Sequence, residues 1–263
     1  DNANFYVYIM IMEKNFLLEK HRILSFYKGQ TPIEFYEEVK STNDLAKQLQ
    51  EKENGNKVYC AKRQTNGKGR FDRVFSSENG GIYLSYLFKK VPKEKVRFIT
   101  PYCAVACAKA LEKTVKDEIK IKWVNDLYSL DKKICGILCE SKLVGNFAEY
   151  VICGIGINVN TQSFSKELQN KASSLYLNYS KYFDASEICA EVIKNLDDFN
   201  YNFNEKKLLN EYRLRSYLND KKVIYNGKEY NVKKIDDDFS LIIYNDFKEI
   251  KLSAGEVSLQ VLK

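Results

Sequence analysis

From Lys221 onward the chain breaks into short strand-like runs, at residues 223–225, 229–235, 240–244 and 248–252, parted by Asn226-Gly227, by 236–238 and by Asn245-Asp246. Strands this short, at this spacing, read as a small β-barrel. Nothing upstream has that rhythm, so two differently built units are expected, with a boundary near residue 219. At 263 residues the chain is long enough for one large domain and a small one.

Upstream, helical and strand periods alternate. Ser41-Thr42-Asn43-Asp44 offers several N-caps in a row and opens a helix to about residue 52. A strand at 57–64 then runs into a Gly-rich loop, and Gly80-Gly81 separates that loop from a β-rich run at 82–88. Thr100-Pro101 places an N-cap before a first-turn proline, with Ala104, Val105, Ala108, Leu111 and Val115 at helical spacing behind it. Ile119, Ile121 and Trp123 alternate as a strand; a turn at 129–132 leads to strands at 134–140 and 148–160. Asp184-Ala185-Ser186-Glu187 reads as a capping box for a helix to about residue 199, and a further helix covers 205–217.

Several function classes are excluded early. The apolar run at 5–11 is far shorter than the ~20 residues of a spanning helix, and the first residues carry no signal-peptide pattern, so no membrane partner is expected. Residues before Met10 or Met12 are assigned no function. Seven cysteines, mostly inside apolar segments, and no Cys-x-x-Cys pair point to a reducing, cytoplasmic compartment. With His21 as the sole histidine, a zinc site of ordinary ligand spacing is not expected. Lysine and arginine exceed acidic residues by 7, and residues 219–263 carry eight of each sign, so the excess sits in residues 1–218 and should attract anions.

The chemistry-bearing candidates lie in that basic portion. Gln64-Thr65-Asn66-Gly67-Lys68-Gly69-Arg70-Phe71-Asp72-Arg73 combines two glycines, which let backbone N–H groups approach an anion, with three cations. It fits neither the P-loop nor the dinucleotide fingerprint. Lys122-Trp123-Val124-Asn125-Asp126 ends a strand with a polar pair. Lys133 starts the next, in which Gly136 interrupts apolar residues, the mark of a close approach by a ligand or another chain. Gly154-Ile155-Gly156-Ile157-Asn158 closes the series.

In this order, and together with Gly255-Glu256-Val257-Ser258-Leu259, these motifs resemble the biotin protein ligases over residues 33–263. The likeness is to the short form without the N-terminal DNA-binding domain, so no DNA partner is expected. It implies an α/β (α+β) fold: a mixed central sheet with helices on one face, as in the class II synthetase-like catalytic domain, followed by an SH3-like barrel. The implied division is an N-terminal extension at 1–32, a catalytic domain at 33–218 and the barrel at 219–263.

The implied reaction joins biotin to ATP, with Mg2+ on the nucleotide, as biotinyl-5′-AMP. It then passes the biotinyl group to a lysine of a biotin carboxyl carrier domain. By resemblance, Ser41, Thr42, Asn43 and Gln64 meet the biotin head, Gly67 permits close backbone approach, and Lys68, Gly69 and Arg70 fold over biotin and the adenylate as a mobile lid. Lys133 is the first catalytic candidate, pairing with the biotin carboxylate and then with the phosphate, and Arg70 holds the intermediate. Gly136 leaves room for biotin. Arg73, Phe75, Asn125, Asp126 and Asn158, with Lys68, are assigned to ATP; Asp126 and Asp72 are the carboxylates weighed for the metal. Asn158 is equally a strand-end turn residue.

The chain departs from the family pattern at five places. Lys68 stands for the commoner arginine, Asp72 for glycine, Val124 for proline, Phe75 for the tryptophan that stacks on adenine, and Gln260 for a basic residue. Two rivals stand beside this reading: a lipoate or octanoate ligase or transferase of the same fold, and a nucleic-acid-binding or regulatory module using the basic charge. Homodimerisation is left open by the sequence.

Overall fold

Val58 and Cys60 face one way along their strand and Tyr59 and Ala61 the other, and all four are buried. A strand covered on both faces belongs at the centre of a layered fold. The computed structural model describes residues 16–71, 73–253 and 260–261. Met10, Met12, Asp72 and the run from Gly255 to Leu259, on which the sequence placed expectations, lie outside the described residues, as does the side chain of Gln260.

The doubly covered strand, β2 (Lys57–Gln64), pairs in parallel with β1 (Ile33–Val39) and antiparallel with β3 (Gly81–Pro92). The sheet continues antiparallel through β7 (Phe147–Asn158), β6 (Lys132–Val144), β5 (Asp126–Ser129) and β4 (Lys120–Lys122). It is the mixed sheet expected. Strand β5 is the element the sequence reading did not separate: Asn125-Asp126 was read as a strand end, whereas Asp126 opens a new strand after a tight turn at 123–125.

The main helical layer covers one face. Its spine is α3 (Lys93–Val115), flanked by α5 (Ala185–Asp197) and α7 (Glu205–Leu214), with α1 (Lys20–Phe26) against α5. Two short helices, α4 (Leu175–Tyr179) and α6 (Phe199–Asn202), complete it. The cap at Asp184 is as expected: its carboxylate accepts from the backbone N–H groups of Ser186 and Glu187. The start of α3 is not. Thr100-Pro101 does not cap it; the helix begins seven residues earlier and carries Pro101 inside. Burial of Phe98 and Ile99 in the core outweighs the one hydrogen bond that proline removes, whose loss costs about 3 kcal/mol in a free helix.

Helix α2 (Thr42–Leu49) lies on the opposite face. Its Ala46 packs with Tyr59, Leu87, Tyr150 and Ile152 in a second, smaller core, whereas Val58 and Cys60, one residue out of phase, join the large one. Beyond residue 219 the small unit forms an antiparallel sheet, in the order β11 (Glu249–Leu252), β10 (Leu241–Tyr244), β9 (Lys228–Ile235), β8 (Lys222–Tyr225), β12 (Gln260–Val261). Asn226-Gly227 makes the β8–β9 turn with both residues at positive φ, as an Asn-Gly hairpin requires. Among the described residues no helix is long and apolar enough to cross a membrane.

Candidate active site

The α2 face of the sheet is bare where glycines stand in register. Gly136 of β6 lies opposite Gly156 of β7, and Leu138 of β6 opposite Gly154. Across these rows stand Asp126 on β5 and Tyr83 and Ser85 on β3. Two glycines in a row leave a flat floor of backbone, and above it opens a cavity of about 640 Å³. It is lined by residues from each motif singled out between residues 41 and 158, among them Thr42, Gln64, Arg70, Asp126, Lys133 and Asn158.

One wall is a network of hydroxyl and amide side chains at the start of α2, where Ser41, Thr42 and Asn43 are all buried. Ser41 caps the helix by accepting from Asp44 N–H. Gln64 Oε1 accepts from the Thr42 N–H at 2.8 Å and faces the Thr42 hydroxyl at 3.2 Å; its amide nitrogen donates to Ser77. The Ser85 hydroxyl lies 2.8 Å from Thr42 Oγ1 and 2.6 Å from Asn43 Oδ1, and Asn43 Nδ2 donates to Leu138 O and to Glu140. A Cβ at Gly154 would meet Asn43 Oδ1 at 2.2 Å, so this glycine is required for Asn43 to sit on the sheet.

The opposite wall is charged. Lys133 Nζ lies 2.7 Å from Asp126 Oδ1. Arg70 Nη1 donates to Asn125 Oδ1 at 3.3 Å, and Asn125 is itself fixed through Nδ2 to Ile137 O at 2.6 Å. Burial pushes the Arg70 guanidinium down from its ordinary value, the charge of Asp126 opposes the shift and that of Arg73 adds to it. Burial likewise lowers Lys122, with Asp126 opposing and Lys133 adding. Burial thus disfavours the charged forms of both cations, and the nearby Asp126 carboxylate favours them.

The Gly/Arg loop is ordered as a small hairpin. Gly69 N–H donates to Arg73 O and Phe75 N–H to Gly67 O, with a bridge between Lys68 and Val74. A Cβ at Gly67 would meet Phe75 O and Ser77 Oγ at 2.5 Å, which explains the glycine. Lys68 reaches back to Asp44 at 2.6 Å. The hairpin lowers Phe75 onto the glycine floor, where a Cβ at Gly156 would meet its ring at 2.4 Å and one at Gly136 at 3.1 Å. The space that Gly136 leaves is occupied by the Phe75 ring, which sits edge-on to Tyr83 at 6.4 Å.

All the sequence-assigned positions from Ser41 to Asn158 thus converge, except that Arg73 is exposed at the cavity mouth, Asn158 spends its amide nitrogen on Ser173 O, and Gly67 supports the loop from beneath. Sequence reasoning assigned no role to Lys122, Gly154 and Gly156, although it quoted them within motifs, and it passed over Ser85. The glycines carried a signal already used at Gly136: a missing side chain in an apolar strand, here repeated at a spacing of two and so on one face. Ser85, polar within the apolar run at 82–88, carried another.

Comparison with known proteins places this arrangement. Residues 35–158 match the biotin/lipoate A/B protein ligase family. The bifunctional ligase/repressor BirA of Bacillus spizizenii is 32% identical over 213 residues, 77% of this chain and 66% of that protein, so the chain spans just under two thirds of this relative's length. A biotin protein ligase from Aquifex aeolicus, solved in complex with biotin and ATP, superposes with a TM-score of 0.74 at 28% identity, over 88% of this chain and 99% of that one. The Leishmania major biotin protein ligase shares the fold, with a TM-score of 0.64 at 22% identity over 86% of this chain and all of its own. The glycine floor, the capped α2 and the Lys133 strand lie inside the segment that matches the biotin/lipoate A/B protein ligase family, and the chain is similar over most of its length to the biotin protein ligases.

Proposed function

We propose that this chain is an ATP-dependent biotin–protein ligase. It makes biotinyl-5′-AMP and passes the biotinyl group to a lysine of a biotin carboxyl carrier domain. The observation that carries the reading is the pairing, in one cavity, of a neutral amide and hydroxyl wall with the cationic wall of Arg70, Lys122 and Lys133 around Asp126. A ureido ring offers donors and an acceptor that such a neutral wall can satisfy. The reaction brings two anions together, and that requires the cations. The Aquifex aeolicus relative was solved with biotin and ATP.

The roles follow from position. Ser41, Thr42, Asn43 and Gln64 hold the biotin head, with Gly136 and Gly156 beneath and Phe75 as a movable cover. Lys133 leaves Asp126 to pair with the biotin carboxylate, whose oxygen attacks the α-phosphorus. The bond to the β-phosphate breaks and pyrophosphate leaves. Lys133 and Arg70 then neutralise the charge gathering on the α-phosphate, Lys68 and Arg73 take the outer phosphates, and Asn125 and Asn158 orient the nucleotide. In the second step the acceptor amine attacks the acyl carbon and AMP departs. Mg2+ arrives with ATP as part of that substrate, since Asp126 is the only carboxylate lining the cavity among the described residues. A catalytic unit at 33–218 and an SH3-like unit at 219–263 complete the reading. That all seven cysteines are free fits a reducing, cytoplasmic setting.

Thermal shift separates biotin from lipoate. A ligand bound only by the native state stabilises it by mass action, about 2.7 kcal/mol at a hundredfold excess over Kd. Biotin is expected to raise the melting midpoint and lipoate to leave it in place; a larger rise with lipoate would overturn the substrate.

A further inference from the structure

Three free cysteines meet behind the glycine floor, on the α3 side of the sheet. Cys103 comes from α3, and Cys139 of β6 and Cys153 of β7 are cross-strand partners. Their sulfurs all lie within 4.8 Å of one another, Cys139 and Cys153 at 2.8 Å. Buried cysteine ordinarily serves as a small hydrophobe. Packing alone does not require three sulfurs from three elements to converge, and the Cys60–Cys189 pair, at 3.8 Å, shows the looser contact that ordinary packing gives.

We propose that Cys103, Cys139 and Cys153 form a binding site for a single soft, thiophilic metal ion in an all-sulfur, three-coordinate setting. Metal–sulfur bonds of about 2.3 Å around a central ion hold three sulfurs about 4 Å apart. All three sulfurs lie within 4.8 Å of one another, and the Cys139–Cys153 edge, at 2.8 Å, must open by about 1 Å for such bonds to form. Among the described residues no carboxylate or imidazole joins the group, which excludes hard ions such as Mg2+ and Ca2+. Structural zinc wants four ligands, whereas copper(I) is selected by thiolates and accepts three, so copper(I) is the best match. Cys139 is the one member of the three whose residue is partly exposed. Each thiol that ionises on binding releases one proton to solvent.

The ion would pin the strands that carry the cavity floor. Cys139 sits between Leu138 and Glu140, the two acceptors of Asn43, and Cys153 precedes Gly154, on which Asn43 rests.

The test is a titration of reduced, metal-free protein with copper(I) against a chromophoric copper(I) chelator. Zn2+ and Cd2+ run in parallel arms, Cd2+ being followed by sulfur-to-metal absorption. One equivalent of copper(I) should be held against the chelator, Cd2+ absorption should appear, and Zn2+ should bind more weakly. Cys103→Ala and Cys139→Ala should each weaken copper(I) binding by more than about tenfold, while Cys60→Ala should bind like the parent. Circular dichroism melts establish that each variant is folded, and Cys139→Ser replaces the alanine variant if that one does not melt cooperatively. No retained copper(I), or retention unchanged when Cys103 and Cys139 are replaced, overturns the site. Tighter binding of Zn2+ than of copper(I) overturns the three-coordinate assignment.

Discussion

Phe75 lies face down on two glycines, and that contact decides how the cavity opens. A methyl group at Gly156 would sit 2.4 Å from the ring, so Gly156→Ala must lift Phe75 or shift the floor. Overpacking of this kind costs about 1–3 kcal/mol. The melting midpoint should fall accordingly and the apparent biotin affinity should change with it. Phe75→Ala in the same chain should recover most of the loss, because the two positions couple only through this contact. Additive effects in the double-mutant cycle would contradict that geometry. At this scale the sequence was informative where a residue type was rare in its setting: Gly136 in an apolar strand, a Ser-Thr-Asn run at a helix start, cations beside glycines. It was uninformative where a side chain could serve two masters. Asn43 and Asn158 were assigned to ligands, yet their amide nitrogens hold Leu138, Glu140 and Ser173. Only the packed structure tells which acceptor lies within reach.

Among the elements, the hairpin from Gly67 to Phe75 is the one built to move. Gly69 N–H donates to Arg73 O at 2.7 Å, Arg73 N–H to Arg70 O at 3.3 Å and Phe75 N–H to Gly67 O at 2.9 Å, and the exposed Lys68–Asp44 pair reaches α2. An exposed pair of this kind contributes only about 0–1 kcal/mol. Biotin with ATP should close it as a lid, slowing hydrogen exchange at Gly69 and Phe75; unchanged exchange at both amides would remove the lid from the account. The strands around it were legible because β2 and β6 carry apolar runs bounded by turn residues. Strand β5 was missed because four residues after a tight turn are too few to establish a period. The start of α3 was misplaced because local cap chemistry at Thr100-Pro101 competes with tertiary burial of Phe98 and Ile99, and burial wins.

Across the whole molecule, the small sheet reaches the active site through one turn. Trp123 Nε1 donates to Phe239 O at 2.8 Å, and Tyr212 on α7 donates to Val124 O at 3.0 Å, so both grip the 123–125 turn that presents Asn125 and Asp126. Trp123→Phe removes the indole donor and leaves a buried carbonyl unpaired, at a cost of about 1–3 kcal/mol. It should lower the melting midpoint and raise KM for ATP more than KM for biotin; equal effects on both would place Trp123 in general packing instead. The two-unit architecture was legible because the change of rhythm after residue 219 is a property of many residues at once. The junction was not, because Trp123 and Phe239 are far apart in sequence and neither is unusual where it stands. The central claim rests on adenylation, and its most direct measurement is pyrophosphate release from ATP and Mg2+ with biotin, lipoate or no acid. Biotin-dependent release is expected, falling about 10²–10³-fold in a folded Lys133→Ala variant. No release with biotin from folded protein, or turnover undiminished without Lys133, would contradict the account.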